Sequence, residues 1–164
     1  MRVAVGMDHA GFPLRSQIFA LLERDGHEVL DCGTDGESSV DYPVHAARAA
    51  RLVSSGEADR AVLACGSGTG VSIVANKLPG VRAVNARDAE EAEMARRHND
   101  ANVLALAGRR LSEKDAGEIV RAFLAAGFEG GRHARRVEQI ERVERGERLD
   151  EAGDPALEAT GTGT

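Results

Sequence analysis

Five short apolar runs rich in β-branched residues alternate with longer stretches of helical period, and that alternation restricts the chain to few folds. The first run, Arg2-Val3-Ala4-Val5-Gly6, is followed by Leu14, Ile18, Leu21 and Leu22, which share one helical face. The pattern recurs as His27-Glu28-Val29-Leu30-Asp31-Cys32 with an alanine-rich helix over 44–53, then as Arg60-Ala61-Val62-Leu63-Ala64-Cys65 with a helix through Lys77. Val81-Arg82-Ala83-Val84 precedes a helix through Arg97, and Asn102-Val103-Leu104-Ala105-Leu106 precedes one over 112–126. Strands separated by helices cannot close as tight hairpins, so right-handed crossovers make them parallel and set helices on both faces. The expected fold is α/β: a three-layer α/β/α Rossmann-like arrangement around a five-stranded parallel sheet. Glycine-rich loops follow several of these strands, at the carboxyl ends where such sheets bind ligands.

Beyond Gly130-Gly131 the residues turn charged, with Val137, Ile140 and Val143 at helical spacing, which predicts a C-terminal amphipathic helix over 133–146. From Glu147 the chain is acidic and then rich in Gly, Thr and Ala, with too little apolar content to offset the entropy of ordering. With 164 residues, 42% of them hydrophobic, one core suffices. A single domain over 1–146 and a disordered tail over 147–164 are expected.

A net charge of −6 and an aromatic content of 3% argue against nucleic acid as a partner, which needs clustered cations and stacking rings. No stretch is long and apolar enough for a bilayer, and Met1 runs into the first strand without a charged leader, so no membrane partner and a cytoplasmic location are expected. Cys32 and Cys65 lie too far apart for a CxxC redox pair. Cys32 closes the second strand without a glycine loop behind it and is assigned to packing.

The densest chemical signal is Cys65-Gly66-Ser67-Gly68-Thr69-Gly70, a strand end passing through alternate glycines into a helix. Glycines let several N–H groups converge on one concavity, and the helix adds its positive end, so the loop favours an anion, either a phosphate or an oxyanion. The spacing is neither the GxGxxG of dinucleotide folds nor a GK[ST] phosphate loop. A ligand-free turn explains the glycines too, and a small buried hydrophobe is the ordinary fate of a lone cysteine. Cys65 beside those N–H groups is better placed as a reactive thiolate than as packing.

Other candidates are more ambiguous. Asp8-His9 follows the first strand, where a carboxylate and an imidazole can hold hydroxyls and a phosphate, or where the Asp can cap the following helix. His98 either moves protons or caps a helix whose last turn also carries Arg96 and Arg97. Arg132 and Arg136 are spaced to grip a phosphate from one helical face, and in so charged a run they equally suit solvent; Arg109 shares that ambiguity. No His, Cys and carboxylate cluster has metal-ligand spacing, so no metal and no other cofactor is expected.

Taken together, Asp8-His9-Ala10-Gly11, Asp41-Tyr42-Pro43, the Cys65–Gly70 loop, Ala75-Asn76-Lys77, His98-Asn99-Asp100 and Gly130-Gly131-Arg132-His133 resemble the ribose-5-phosphate isomerase B family over roughly residues 1–145. That resemblance implies an aldose–ketose isomerase acting on a phosphorylated sugar, ribose 5-phosphate first. It implies ring opening assisted by His98, then proton transfer between C2 and C1 through a cis-enediolate with Cys65 as base. Asp8 would hold hydroxyls. The N–H groups of Gly66, Gly68, Thr69 and Gly70, with Ser67, would stabilise the enediolate oxygen. His9, Arg132 and Arg136 would take the phosphate, with Tyr42, Asn99 and Arg109 near the sugar or phosphate. One branch of the family has Gly for the cysteine and a Glu later in the loop; Val71 stands there in this chain and cannot accept a proton. Ser67 stands where many members have threonine, which keeps the hydroxyl. The resemblance also implies a homodimer with active sites shared between subunits, or a tetramer built from it.

Three other readings compete. The substrate can be a sibling, allose 6-phosphate, galactose 6-phosphate or a tetrulose 4-phosphate, because the shared motifs determine the reaction better than the sugar. A nucleotide- or sugar-phosphate-binding module without catalysis would leave Cys65 without a use. A thiol redox protein would need a resolving cysteine near Cys65, and the only other cysteine is Cys32.

Overall fold

Along β1 (Arg2–Met7), Val3, Val5 and Met7 point to one face and Ala4 to the other, and every one of them is buried. A strand apolar on both sides needs cover on both sides. In this computed structural model, which describes residues 1–149, that cover comes from helices packed against both faces of one sheet. Chain order runs β1, α1 (Arg15–Arg24), β2 (Glu28–Asp31), α2 (Tyr42–Ser54), β3 (Arg60–Cys65), α3 (Thr69–Ala75), β4 (Ala83–Asn85), α4 (Ala89–Asn99), β5 (Val103–Ala107), α5 (Glu113–Ala125) and α6 (Arg132–Glu144). A 3-10 turn at Phe12–Leu14 leads into α1.

The five strands pair in parallel in the order β2-β1-β3-β5-β4, so β3 is central, between β1 and β5. On one face Val62, Ala64, Leu104 and Leu106 meet Ile18, Leu22, Ile119 and Phe123 from α1 and α5, together with Ala92 and Ala95 from α4. On the other face Leu63, Cys65 and Ala105 meet Ala46, Ala49 and Ala50 of α2 and Val71 of α3. The alanines bring α2 close. Gly6 makes the approach tighter still, since a Cβ there would lie 2.7 Å from the His45 carbonyl oxygen. The three-layer α/β/α expectation and its five-stranded parallel sheet hold.

Several boundaries differ from the sequence expectation: α3 ends at Ala75 before Lys77, α4 runs on past Arg97 to Asn99, and α6 spans Arg132–Glu144 where 133–146 was expected. Strand β4 begins at Ala83 because Val81 is drawn into a turn by its N–H bond to Leu78, and the Arg82 N–H is taken by the Asn102 side chain at 2.8 Å. Helix α2 begins at Tyr42 because Pro43 fits the first helical turn and Asp41 occupies the N-cap position. The predicted C-terminal helix is α6; its buried His133 and Val137 face inward and α6 packs along α4. Cys32 is buried in the α2-side core, and burial pushes its thiol pKa up. Of the predicted tail, Glu147 accepts hydrogen bonds from Arg142 and Arg145, and residues 150–164 lie outside the described residues.

Candidate active site

Three neighbouring strands, β1, β3 and β5, end side by side and deliver their following residues to one place. Cys65 is the last residue of β3, with Asp8 just past β1 on one side and Arg109 just past β5 on the other. Glycines make this junction tight. A Cβ on Gly11 would lie 2.5 Å from the Ala64 carbonyl oxygen, and one on Gly108 would lie 2.3 Å from that of Ala10. Backbone bonds tie the loops together: the Asp8 N–H to Ala64, the Gly108 N–H to Cys65 and the Arg109 N–H to Gly66. Here Asp8, Tyr42, Cys65, Ser67, Gly70 and Arg109 line a cavity of about 460 Å³. Arg110 also lines it and carries no sequence signal.

The Asp8 carboxylate is buried; its Oδ1 accepts from the N–H groups of Ala10 and Gly11, both at 2.9 Å. It therefore does cap the turn, as one sequence reading had it, and it also faces the cavity. His9 turns aside: its Nδ1 accepts from the Val40 N–H at 3.2 Å, and it is not in the cavity wall. Tyr42 lies against the loop, with its ring carbon Cζ 2.6 Å from where a Cβ on Gly70 would stand. Cys65 is 5% exposed at the floor of the opening.

The glycine loop presents unpaired donors. Among the described residues the N–H groups of Gly66, Ser67 and Gly68 find no acceptor, and those of Gly70 and Val71 lie in the first turn of α3, where a helix has none to offer. The Ser67 hydroxyl accepts from the Thr69 N–H at 3.3 Å. Gly68 has φ +74°, a left-handed conformation that a glycine adopts freely. Asn85, at the end of β4, reaches into the loop and donates to the Ser67 carbonyl at 3.1 Å.

The remaining candidates gather elsewhere. His98 and Asn99 end α4, whose chain next enters β5 at its amino end, whereas Cys65 sits at the carboxyl ends. The length of β5, roughly 16 Å at ~3.3 Å per residue, separates the two levels. His98 stacks on His133 at the start of α6, and each Nε2 lies 3.7 Å from Glu129 Oε2. Arg132 and Arg136 are exposed on the same helix start. Burial, His98 and Arg132 push the His133 pKa down, while Glu129 is held low by its hydrogen bond to Arg97. Asn99 faces a separate groove between α6 and β4.

The sequence shows no metal-spaced cluster, yet the fold brings ligand atoms of His98, Glu129 and His133 within 4.8 Å of one another. Their arrangement is a poor fit to a single metal ion. The two rings are only 5° from parallel, so both lone pairs cannot aim at one ion, and Arg97 already holds Glu129.

A family profile described as Ribose/Galactose Isomerase matches residues 3–140. The chain belongs to the ribose/galactose isomerase family. As a member of that family it is an isomerase. Ribose-5-phosphate isomerase B of Escherichia coli (strain K12) is 46% identical over 137 residues, which are 84% of this chain and 92% of that one. The solved structure of Clostridium thermocellum ribose-5-phosphate isomerase B superposes with a TM-score of 0.87 at 46% identity, covering 89% of this chain and 99% of that chain. The Mycoplasma genitalium ribose-5-phosphate isomerase B structure, which has ribulose 5-phosphate bound, superposes at TM-score 0.84 and 37% identity over 88% of this chain and 96% of that one. The family match spans both groups of residues, the Cys65 cavity and the His98–His133 cluster. No helix among the described residues is long and apolar enough to cross a membrane.

Proposed function

We propose that this ribose/galactose isomerase family member interconverts ribose 5-phosphate and ribulose 5-phosphate. The observation that carries this reading is Cys65 at the end of the central strand, in one cavity with Asp8 and beside N–H donors that have no acceptor among the described residues. Cys65 as thiolate takes the proton from C2 of the open-chain aldose, and the electron pair moves to form a cis-enediolate. The negative charge develops on an oxygen facing the loop, where preorganised N–H groups act most strongly because they need no reorganisation during the step. The thiol then returns the proton to C1 as the hydroxyl proton on O2 passes to O1, which leaves the carbonyl at C2 and regenerates the thiolate. Asp8, held by two backbone donors, accepts a hydrogen bond from a sugar hydroxyl.

Ring opening and phosphate binding need groups that one chain keeps away from Cys65. In a homodimer with shared sites, His98 of the partner subunit would assist ring opening, and the partner's Arg132 and Arg136 would join Arg109 at the phosphate. Exposed Ile140 and Val143 along the α6 groove favour burial against a second copy. His9, turned toward Val40, would reach the phosphate only after exchanging that bond. We assign the enzyme to the cytoplasm, with residues 1–146 as its folded domain.

The test is turnover of ribose 5-phosphate beside allose 6-phosphate, galactose 6-phosphate and erythrulose 4-phosphate, with EDTA present. Highest kcat/KM on ribose 5-phosphate supports the reading. A different best sugar keeps the chemistry and replaces the substrate; turnover of none contradicts it.

A further inference from the structure

Asn85 ends β4 and turns its carboxamide into the glycine loop, where Nδ2 donates to the Ser67 carbonyl at 3.1 Å and contacts Thr69 Oγ1 at 3.4 Å. Its Oδ1 is buried and has no hydrogen-bond partner among the described residues. Leaving a buried acceptor unpaired is destabilising, and an apolar side chain of similar size would avoid that cost. The donor end of the amide is the engaged one.

Peptide geometry supplies the reason. Every peptide bond described is trans, so a C=O and the N–H of the same unit point in opposite directions. Fixing the Ser67 carbonyl toward β4 turns the Gly68 N–H away from β4; its neighbours Ser67 and Gly70 line the cavity, and Gly68 itself stands just behind that wall. That N–H has no acceptor among the described residues. Gly68 at φ +74° sits in a backbone region that a glycine adopts freely, so the Asn85 bond adds to the restraint from the Ser72 N–H on the Gly68 carbonyl and the Thr69 N–H on the Ser67 hydroxyl. A side chain that would stiffen it is excluded, since a Cβ on Gly68 would lie 2.3 Å from Asn85 Oδ1. The contact with Thr69 ties the same anchor to the first turn of α3.

We propose that Asn85 is a positioning residue for the isomerisation: its carboxamide holds the Ser67–Gly68 peptide so that the Gly68 N–H donates to the oxyanion that develops on the sugar phosphate. This assignment rests on the enediolate reading above and adds to it a residue from outside the loop. Asn85 touches no substrate; it acts through the peptide it holds.

The test compares Asn85→Asp, which keeps the shape but sets a carboxylate against the Ser67 carbonyl, with Asn85→Leu, which removes both polar atoms. Loss of a direct oxyanion donor lowers kcat by about 10²–10³; loss of its orientation should lower kcat on the order of 10- to 100-fold in Asn85→Asp, with KM for ribose 5-phosphate within about twofold. Asn85→Leu should lose kcat too while keeping or raising Tm, which separates positioning from stability. Independently of turnover, a phosphorylated hydroxamate, which presents a planar oxyanion, should shift the Gly68 amide proton downfield in the wild-type 15N–1H spectrum and not in Asn85→Asp. Wild-type kcat in both variants, a fall in kcat matched by a rise in KM, or a Gly68 amide indifferent to the hydroxamate in the wild type would each overturn the assignment. An active wild type with an indifferent Asn85 removes this inference alone, whereas a wild type that turns over no sugar phosphate removes the enediolate reading and Asn85's role with it.

Discussion

His98 and His133 stack face to face, with ring centroids 4.2 Å apart and planes 5° from parallel, at the end of the sheet opposite Cys65. This contact locks the end of α4 to the start of α6. It also keeps His98 at a distance from the Cys65 cavity of its own chain.

The stack predicts a specific acid sensitivity. Burial, His98, Arg132 and Arg136 lower the His133 pKa below 6.5, and Glu129 only partly opposes them. A histidine whose folded pKa is depressed adds stability above its unfolded pKa and loses it as pH falls through the folded value. Glu129 remains charged through that range because Arg97 holds its pKa low. The Tm of the wild type should fall as pH drops below about 6.5, and His133→Gln should reduce that fall. Parallel Tm profiles for the two proteins would contradict the assignment.

Separation of the two groups predicts complementation between subunits. Cys65→Ala and His98→Ala should each be nearly inactive alone. Co-refolded in equal amounts, half of the dimers are mixed and each carries one intact site, so about a quarter of wild-type activity should return in a two-fold symmetric dimer. No recovery on mixing would place both groups in one chain's site.

Loss of phosphate contacts should appear in KM. On the proposed phosphate site, Arg132→Ala or Arg136→Ala would remove a charge-assisted contact, commonly ~1.5–3 kcal/mol, or roughly a 10- to 100-fold rise in KM for ribose 5-phosphate. Unchanged KM in both variants would return these arginines to the solvated-face reading.

Backbone strain should be costly at Gly68. Alanine there must adopt φ +74°, about 1–2 kcal/mol unfavourable for an L-residue, with its Cβ 2.3 Å from Asn85 Oδ1 and 3.0 Å from the Leu106 carbonyl carbon. Gly68→Ala should lower the urea midpoint and reduce kcat by at least about tenfold through displacement of the loop donors. A variant with unchanged midpoint and kcat would show that the loop tolerates the shift.

Much of this architecture is legible in the sequence because it depends on local periodicity. The runs ending at Gly6 and Cys65 are apolar on both sides, which only a sheet covered on two faces accommodates. The Cys65–Gly70 loop is legible because its alternating glycines leave room for close neighbours, the Asn85 side chain at Gly68 and the Tyr42 ring at Gly70. The start of β4 was misplaced because Asn102, distant in sequence, takes the Arg82 N–H, and no local pattern encodes such a bond. Asn85 is similarly silent: one polar residue in a strand of three carries no period. Convergence of His98, Glu129 and His133 depends on how α6 docks on α4, so spacing along the chain could not reveal it.

The most direct measurement is kcat and KM of Cys65→Ala on ribose 5-phosphate beside the wild type. Removal of a general base should lower kcat by roughly 10²–10⁴-fold, with KM within a few-fold, since the cavity keeps Asp8 and Arg109. Turnover near the wild-type rate would show that another group moves the proton and would contradict the account at its centre.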